Sequence, residues 1–149
     1  MTTDITRIEQ RIKIEARPET VFSFLTDPAK LAMWQGQHVA VDVTPGGMHR
    51  IVIRDGMVMR GEYLEITPPT RLVYTFGWEG DDNPIPAGST TVSYDLVPDG
   101  DGTMLTLTHT GLPDEEAAKM HAMGWEHYAE RLAIAAAGGD PGPDSFAEG

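Results

Sequence analysis

After Pro113 the period of the hydrophobic pattern changes from that of strands to that of one long helix, and that change limits the fold more than any other feature. Between Val39 and Pro113 apolar and polar residues alternate in short segments separated by turn residues, the pattern of strands with one buried face. After Pro113-Asp114-Glu115-Glu116, Ala118, Ala122, Trp125, Ala129, Leu132 and Ala136 recur at steps of four and three, which is one continuous helical stripe. The acidic opening suits the positive end of a helix dipole, and Gly138-Gly139 ends the pattern. A helix of about 25 residues is ~40 Å long at a rise of ~1.5 Å per residue. An antiparallel sheet with one apolar face and a single helix of that length have one simple solution, the helix laid across a curved sheet. The predicted class is α+β. Such a sheet leaves space between itself and the helix, and that space is the candidate site.

The predicted strands are Arg7–Ile14, Val39–Val43, Met48–Arg54, Met57–Ile66, Arg71–Trp78, Ser89–Val97 and Thr103–Leu112. Asp55-Gly56 between two of them is a strong hairpin signal. In ARPETVFSFLTDPAKLAMW, Pro18 suits a first helical turn, and Val21, Phe22 and Leu25 lie at helical spacing. Asp27-Pro28 ends that helix and opens a second short one carrying Leu31 and Trp34. No repeat or linker interrupts the chain, so residues 1–139 read as one domain. DPGPDSFAEG, residues 140–149, cannot continue a helix and reads as a flexible tail.

The 149 residues contain no cysteine, which excludes disulfides, thiolate metal sites and cysteine nucleophiles. The absence fits a reducing cytoplasm. MTTDITRIEQ lacks a basic stretch followed by an apolar one, so no signal peptide is predicted. No apolar run approaches the ~18 residues that span a bilayer. The formal charge is −12, from 23 acids against 11 bases. A field of that sign repels phosphate backbones and anionic headgroups, which argues against nucleic acid and membrane partners.

Strand parity sorts the side chains. In Thr103–Leu112 the threonines share the wet face, so Leu105, Leu107 and His109 point inward. The same argument turns Leu72, Tyr74, Phe76 and Trp78 inward, with Val92, Tyr94 and Leu96 from the next strand. His49, Ile51 and Ile53 face in because Arg50 and Arg54 want water. Gly61 and Tyr63 face in opposite Glu62 unless a bulge intervenes. The predicted inner face is apolar and aromatic, with two histidines, several hydroxyls and almost no carboxylate. It suits a small hydrophobic or aromatic molecule and equally suits a plain core.

HAMGWEHYAERL, His121 to Leu132, supplies the facing wall. Trp125 anchors the stripe, His121 lies one turn before it on the same side, Tyr128 borders that side, and Gly124 is expected to allow close approach of the backbone. His127 falls elsewhere and is expected in solvent. His121 and His127 are about 120° apart round the helix, so they cannot chelate one ion, and no metal or other cofactor is predicted. No G-x-S-x-G appears. Proton transfer by His109 and His121, aided by Tyr63 or Tyr94, is the surviving catalytic option. The predicted lining is Trp34, His49, Ile51, Tyr63, Tyr74, Phe76, Trp78, Tyr94, His109, His121, Trp125 and Tyr128.

On VFSFLTDPAKLAMW, PGGMHRIVI, RGEYLEITPPTRLVYTFGWE, GSTTVSYDLVPDGDGTMLTLTHTGLP and HAMGWEHYAERL, the chain resembles the SRPBCC superfamily of START and birch-pollen-allergen-like domains. More closely it resembles the small bacterial homologues of the heat shock protein 90 ATPase activator. The segments span nearly the whole chain in the family's order. The resemblance implies a helix-grip fold, an antiparallel sheet wrapped round a long C-terminal helix with a cavity between. It also implies a function drawn from a superfamily of lipid carriers, hormone binders, polyketide cyclases and aromatases. The eukaryotic activator has an additional N-terminal domain for gripping the chaperone, with no counterpart in this sequence, and the iron ligands of dioxygenase relatives have no match. The expectation is a cytoplasmic binder of a small hydrophobic or aromatic ligand, monomeric or homodimeric. The alternatives are a cyclase or aromatase using the same cavity, and a chaperone-modulating interaction module.

Overall fold

The computed structural model describes residues 7–36, 38–80 and 83–145. In chain order the elements are β1 (Ile8–Ile14), α1 (Pro18–Thr26), α2 (Pro28–Trp34), β2 (His38–Val41), β3 (Met48–Arg54), β4 (Met57–Thr67), β5 (Arg71–Phe76), β6 (Thr90–Asp99), β7 (Gly102–Thr110) and α3 (Glu115–Ala136). The strands form one antiparallel sheet in the order β1-β7-β6-β5-β4-β3-β2. Every neighbour but one is a sequential hairpin. The exception sets β1 beside β7, with Ile8 opposite His109 and Ile14 opposite Thr103. This is the helix-grip arrangement, with the long helix against the concave face.

Local chemistry explains the corners. Asp27 closes α1 with its backbone N–H and caps α2 with its carboxylate, which accepts from the N–H groups of Ala29 and Lys30. Trp34 then donates its indole N–H to the Phe24 carbonyl at 2.8 Å, locking the two short helices together. In β4 the register shifts between Tyr63 and Glu65, leaving Leu64 exposed while Tyr63 stays buried. The register shift falls after Tyr63 and does not turn that residue outward. At Gly61 a Cβ would overlap the Thr75 carbonyl oxygen, so only glycine lets the strands approach there.

α3 is capped by the Asp114 carboxylate, which accepts from the Ala117 N–H at 2.8 Å. Its 22 residues follow the expected stripe in part. Ala118, Trp125, Leu132 and Ala136 of that stripe are buried, Ala122 and Ala129 are only half-buried, and Tyr128, Arg131 and Ala135 join the buried side. Tyr128 removes far more apolar area from water than an alanine can, and this biases the helix towards it. Arg131 follows because its guanidinium finds acceptors: Nε donates to the Trp34 carbonyl, and Nη1 to the carbonyls of Pro141, Gly142 and Pro143.

Those bonds engage the described residues 140–145. The segment returns along α3, held by Arg131 and by Asp144, whose carboxylate accepts from the Tyr128 hydroxyl at 2.7 Å. His127, expected in solvent, lies 2.8 Å from the same carboxylate. Residues 146–149 lie outside the described residues. Among the described residues no helix is long and apolar enough to cross a membrane.

Candidate functional site

A cavity of about 280 Å³ lies between α3 and the sheet. The sheet side is Ile53 on β3, Met57 and Met59 on β4, Phe76 at the end of β5 and Trp78 beyond it; Gln35 closes one end just after α2. The helix side is Met120, His121, Gly124, Trp125 and Tyr128. Met120, 65% exposed, stands at the mouth.

Trp78 reaches the cavity from a loop rather than from a strand. β5 ends at Phe76 because Gly77 passes tightly against the Pro86 backbone. Trp78 makes single bridges to Met59 and Pro86. Its loop is fixed on both sides. Asn83 donates to the Trp78 carbonyl at 2.7 Å, and the neighbouring Glu79 accepts from Arg50 at 2.7 and 3.2 Å, with Arg60 at 3.5 Å. Arg50 holds the Glu79 carboxyl below the usual carboxylate range.

Both candidate catalytic histidines are engaged by indoles. Trp125 donates Nε1–H to His109 Nδ1 at 3.0 Å. His109 Nε2 must then carry the proton, and it donates to the Thr90 hydroxyl at 2.8 Å. That hydroxyl donates in turn to the Phe76 carbonyl at 2.8 Å. Every polar side-chain atom of this Trp125–His109–Thr90 series is satisfied with a neutral imidazole. His109 is 0% exposed, and burial, with His121 nearby, lowers its pKa to about 3. It therefore stands behind Trp125 and does not line the cavity.

His121 does line it, in a matching arrangement. Trp78 donates Nε1–H to His121 Nε2 at 3.0 Å, so Nδ1 carries the proton and donates to the Ala117 carbonyl at 2.8 Å. Burial lowers the His121 pKa. Protonating either ring would set an imidazolium N–H against an indole N–H. Neither histidine offers a lone pair to a substrate or a metal while its tryptophan is in place. Among the described residues no group of three or more histidine or acidic side chains is placed to hold a metal ion.

Phe76, Trp78, His121, Trp125 and Tyr128 of the expected lining are brought together at the cavity. The others sit elsewhere. Trp34 is spent on Phe24, and Ile51 is sealed in the core. His49, Tyr63, Tyr74 and Tyr94 form a second aromatic cluster deeper in the sheet, where His49 stacks on Tyr74 at 3.9 Å between ring centroids and the Tyr74 and Tyr94 hydroxyls meet at 3.1 Å. Strand parity gives the face of the sheet but not the position along it, so the inward set was divided between cavity and core without warning. Within this cluster His49 Nδ1 and the Tyr63 hydroxyl have no hydrogen-bond partner among the described residues. Burial lowers the His49 pKa to about 3.

Gln35, Ile53, Met57, Met59, Met120 and Gly124 line the site outside the predicted set. Met57 and Met59 share the parity of Tyr63, so the signal was present. Gln35 follows a helix end and gave none. Gly124 was expected to permit close backbone approach, yet a Cβ there would meet nothing within 4 Å. Its bareness leaves cavity volume where any other residue would place atoms.

The family described as activator of Hsp90 ATPase homolog 1-like protein matches residues 15–137. Among solved structures, the AHSA1-like protein of Rhizobium etli is 39% identical, covering 98% of this chain and 92% of that one, with a TM-score of 0.73. DynU16, a protein of the dynemicin biosynthetic locus, is 26% identical over 91% of this chain and 49% of its own, with a TM-score of 0.77. The Aha1 dimer of Colwellia psychrerythraea has a TM-score of 0.78 at 19% identity, covering 89% of this chain and 97% of that one, and shows the fold alone. No curated protein matches the chain.

Proposed function

We propose that this chain, which belongs to the activator of Hsp90 ATPase homolog 1-like family, binds a small hydrophobic or aromatic molecule in the cavity beneath α3. The observation that carries this reading is the bare backbone of Gly124 beside Met120, His121 and Trp125. Helical glycine is unfavourable by ~0.8–1.0 kcal/mol against alanine. Here that disadvantage is joined to an apolar space that no side chain fills. Aromatic rings and methionines supply the walls, and thioethers adapt to irregular apolar shapes. The binder is proposed to work in the cytoplasm as a monomer or homodimer.

The cyclase or aromatase reading draws support from DynU16, whose locus is biosynthetic. It requires a proton carrier. His109 and His121 have their acceptor nitrogens occupied by Trp125 and Trp78, which favours binding over acid–base turnover. The chaperone-modulating reading has no feature of the site in its favour.

Gly124→Leu tests the binder directly. The branched side chain grows into the cavity and raises helix propensity. The melting temperature is expected to hold or rise, while affinity for naphthalene, followed by tryptophan emission, falls by more than about tenfold. Unchanged affinity in a folded variant would place the binding elsewhere.

A further inference from the structure

Every polar side-chain group on the cavity wall is committed to a strong partner except one. Trp78 and His121 bond each other, Trp125 bonds His109, and Tyr128 donates to Asp144. The exception is Gln35. Its side chain is sealed from solvent, with the residue 1% exposed. Among the described residues its only side-chain hydrogen bond runs from Nε2 to the Met59 thioether at 3.9 Å. A thioether is a weak acceptor, and a buried amide left so poorly matched is destabilising until something better arrives. The backbone N–H of Gln35 closes α2 on the Leu31 carbonyl, so the position is fixed.

We infer that Gln35 is the polar anchor of the cavity, and that its ligand is an uncharged, flat aromatic molecule with one amide-like edge. The inference rests on the binding reading above and names its ligand class. A carboxamide offers a donor and an acceptor side by side, whichever way it is turned. The complement is a lactam or an equivalent edge with an N–H or O–H beside a carbonyl. Phe76, Trp78 and Trp125 present ring surface for stacking. Among the described residues no cationic side chain lines the wall, so a carboxylate brought inside would lie unpaired in an apolar space.

Three probes of similar shape separate the terms: quinolin-2-one with the lactam edge, naphthalene without it, and 2-naphthoate with a charge. Each is titrated against the wild type and Gln35→Leu by calorimetry, with circular dichroism to confirm folding; Gln35→Met, unbranched like glutamine, replaces Gln35→Leu if that variant does not fold. The ratio of quinolin-2-one to naphthalene affinity is expected to fall by about tenfold in the variant, the effect of one hydrogen bond. Naphthalene affinity is expected to hold, and 2-naphthoate to bind more weakly than naphthalene. An unchanged ratio, or tighter binding of 2-naphthoate, overturns the assignment of Gln35 and its ligand class while leaving the cavity reading intact. If naphthalene itself does not bind the wild type, the cavity reading falls and the inference with it.

Discussion

Trp125→Ala is expected to destabilise the protein by ~3–5 kcal/mol, the range for truncating a large buried aromatic. Trp125 packs its ring against Phe76 at 5.9 Å and Tyr94 at 6.4 Å between centroids, so its removal hollows the junction of α3 and the sheet. It also takes away the donor that His109 Nδ1 accepts from. A buried acceptor left unpaired is destabilising by a further ~1–3 kcal/mol, which moves the expectation to the upper end. Trp125→Phe separates the two effects: most of the packing survives, and the lost hydrogen bond remains. Urea unfolding of both variants is the measurement. A change below ~1 kcal/mol in Trp125→Ala would mean that the helix presents another face to the sheet.

The second large effect is loss of stability in mild acid. Burial lowers the pKa values of His49 and His109 to about 3 in the folded protein, against ~6.5 when unfolded. Between those values the unfolded chain binds more protons, so stability is present above pH ~6.5 and declines as pH falls towards 3. Each histidine then removes ~2 kcal/mol between pH 7 and pH 5. His121 shifts in the same direction. A variant isolates the contribution of one histidine. His49→Phe keeps the ring stacked on Tyr74 and deletes the unpartnered Nδ1. Its stability at pH 7 is expected to match or exceed the wild type. Between pH 7 and pH 5 it should lose ~2 kcal/mol less than the wild type does. Equal losses would show that His49 is not held neutral by the fold.

The legible parts of the sequence were those with a period. Alternation in Ile8–Ile14 and Gly102–Thr110 placed the inward residues, and the four-and-three spacing after Pro113 placed α3. Strand ends were less legible, because they depend on partners. β5 stops at Phe76 for a backbone contact between Gly77 and Pro86, which no local pattern encodes. The stripe of α3 was legible in part: Ala118, Trp125, Leu132 and Ala136 are buried, while Ala122 and Ala129 are half-buried. Tyr128 and Arg131 hold the buried side because acceptors and apolar surface come from distant segments: Trp34, Pro141 and Asp144.

The site itself was half legible. Five aromatic and histidine residues of the expected lining converge, since parity and helix spacing put them on facing walls. His109 could not be told from a wall residue by sequence. Its enclosure follows from the chain Trp125–His109–Thr90–Phe76, whose members are far apart in the sequence. Gly124 shows the reverse case: its type was noticed and its role mistaken, because only the surrounding space reveals whether a glycine admits a neighbour or leaves a void.

The eight methionines offer the most direct test of the cavity as a binding site. Met57, Met59 and Met120 line it, while Met33, Met48 and Met123 are exposed away from it. With methyl-labelled methionine, naphthalene is added to saturation and each methyl resonance is followed, with assignments from single Met→Leu variants. The expected result is large shifts at Met57, Met59 and Met120, from ring currents of a ligand within the cavity, and little change at Met33, Met48 and Met123. Shifts confined to the exposed methionines, or none at the cavity three, would contradict the account.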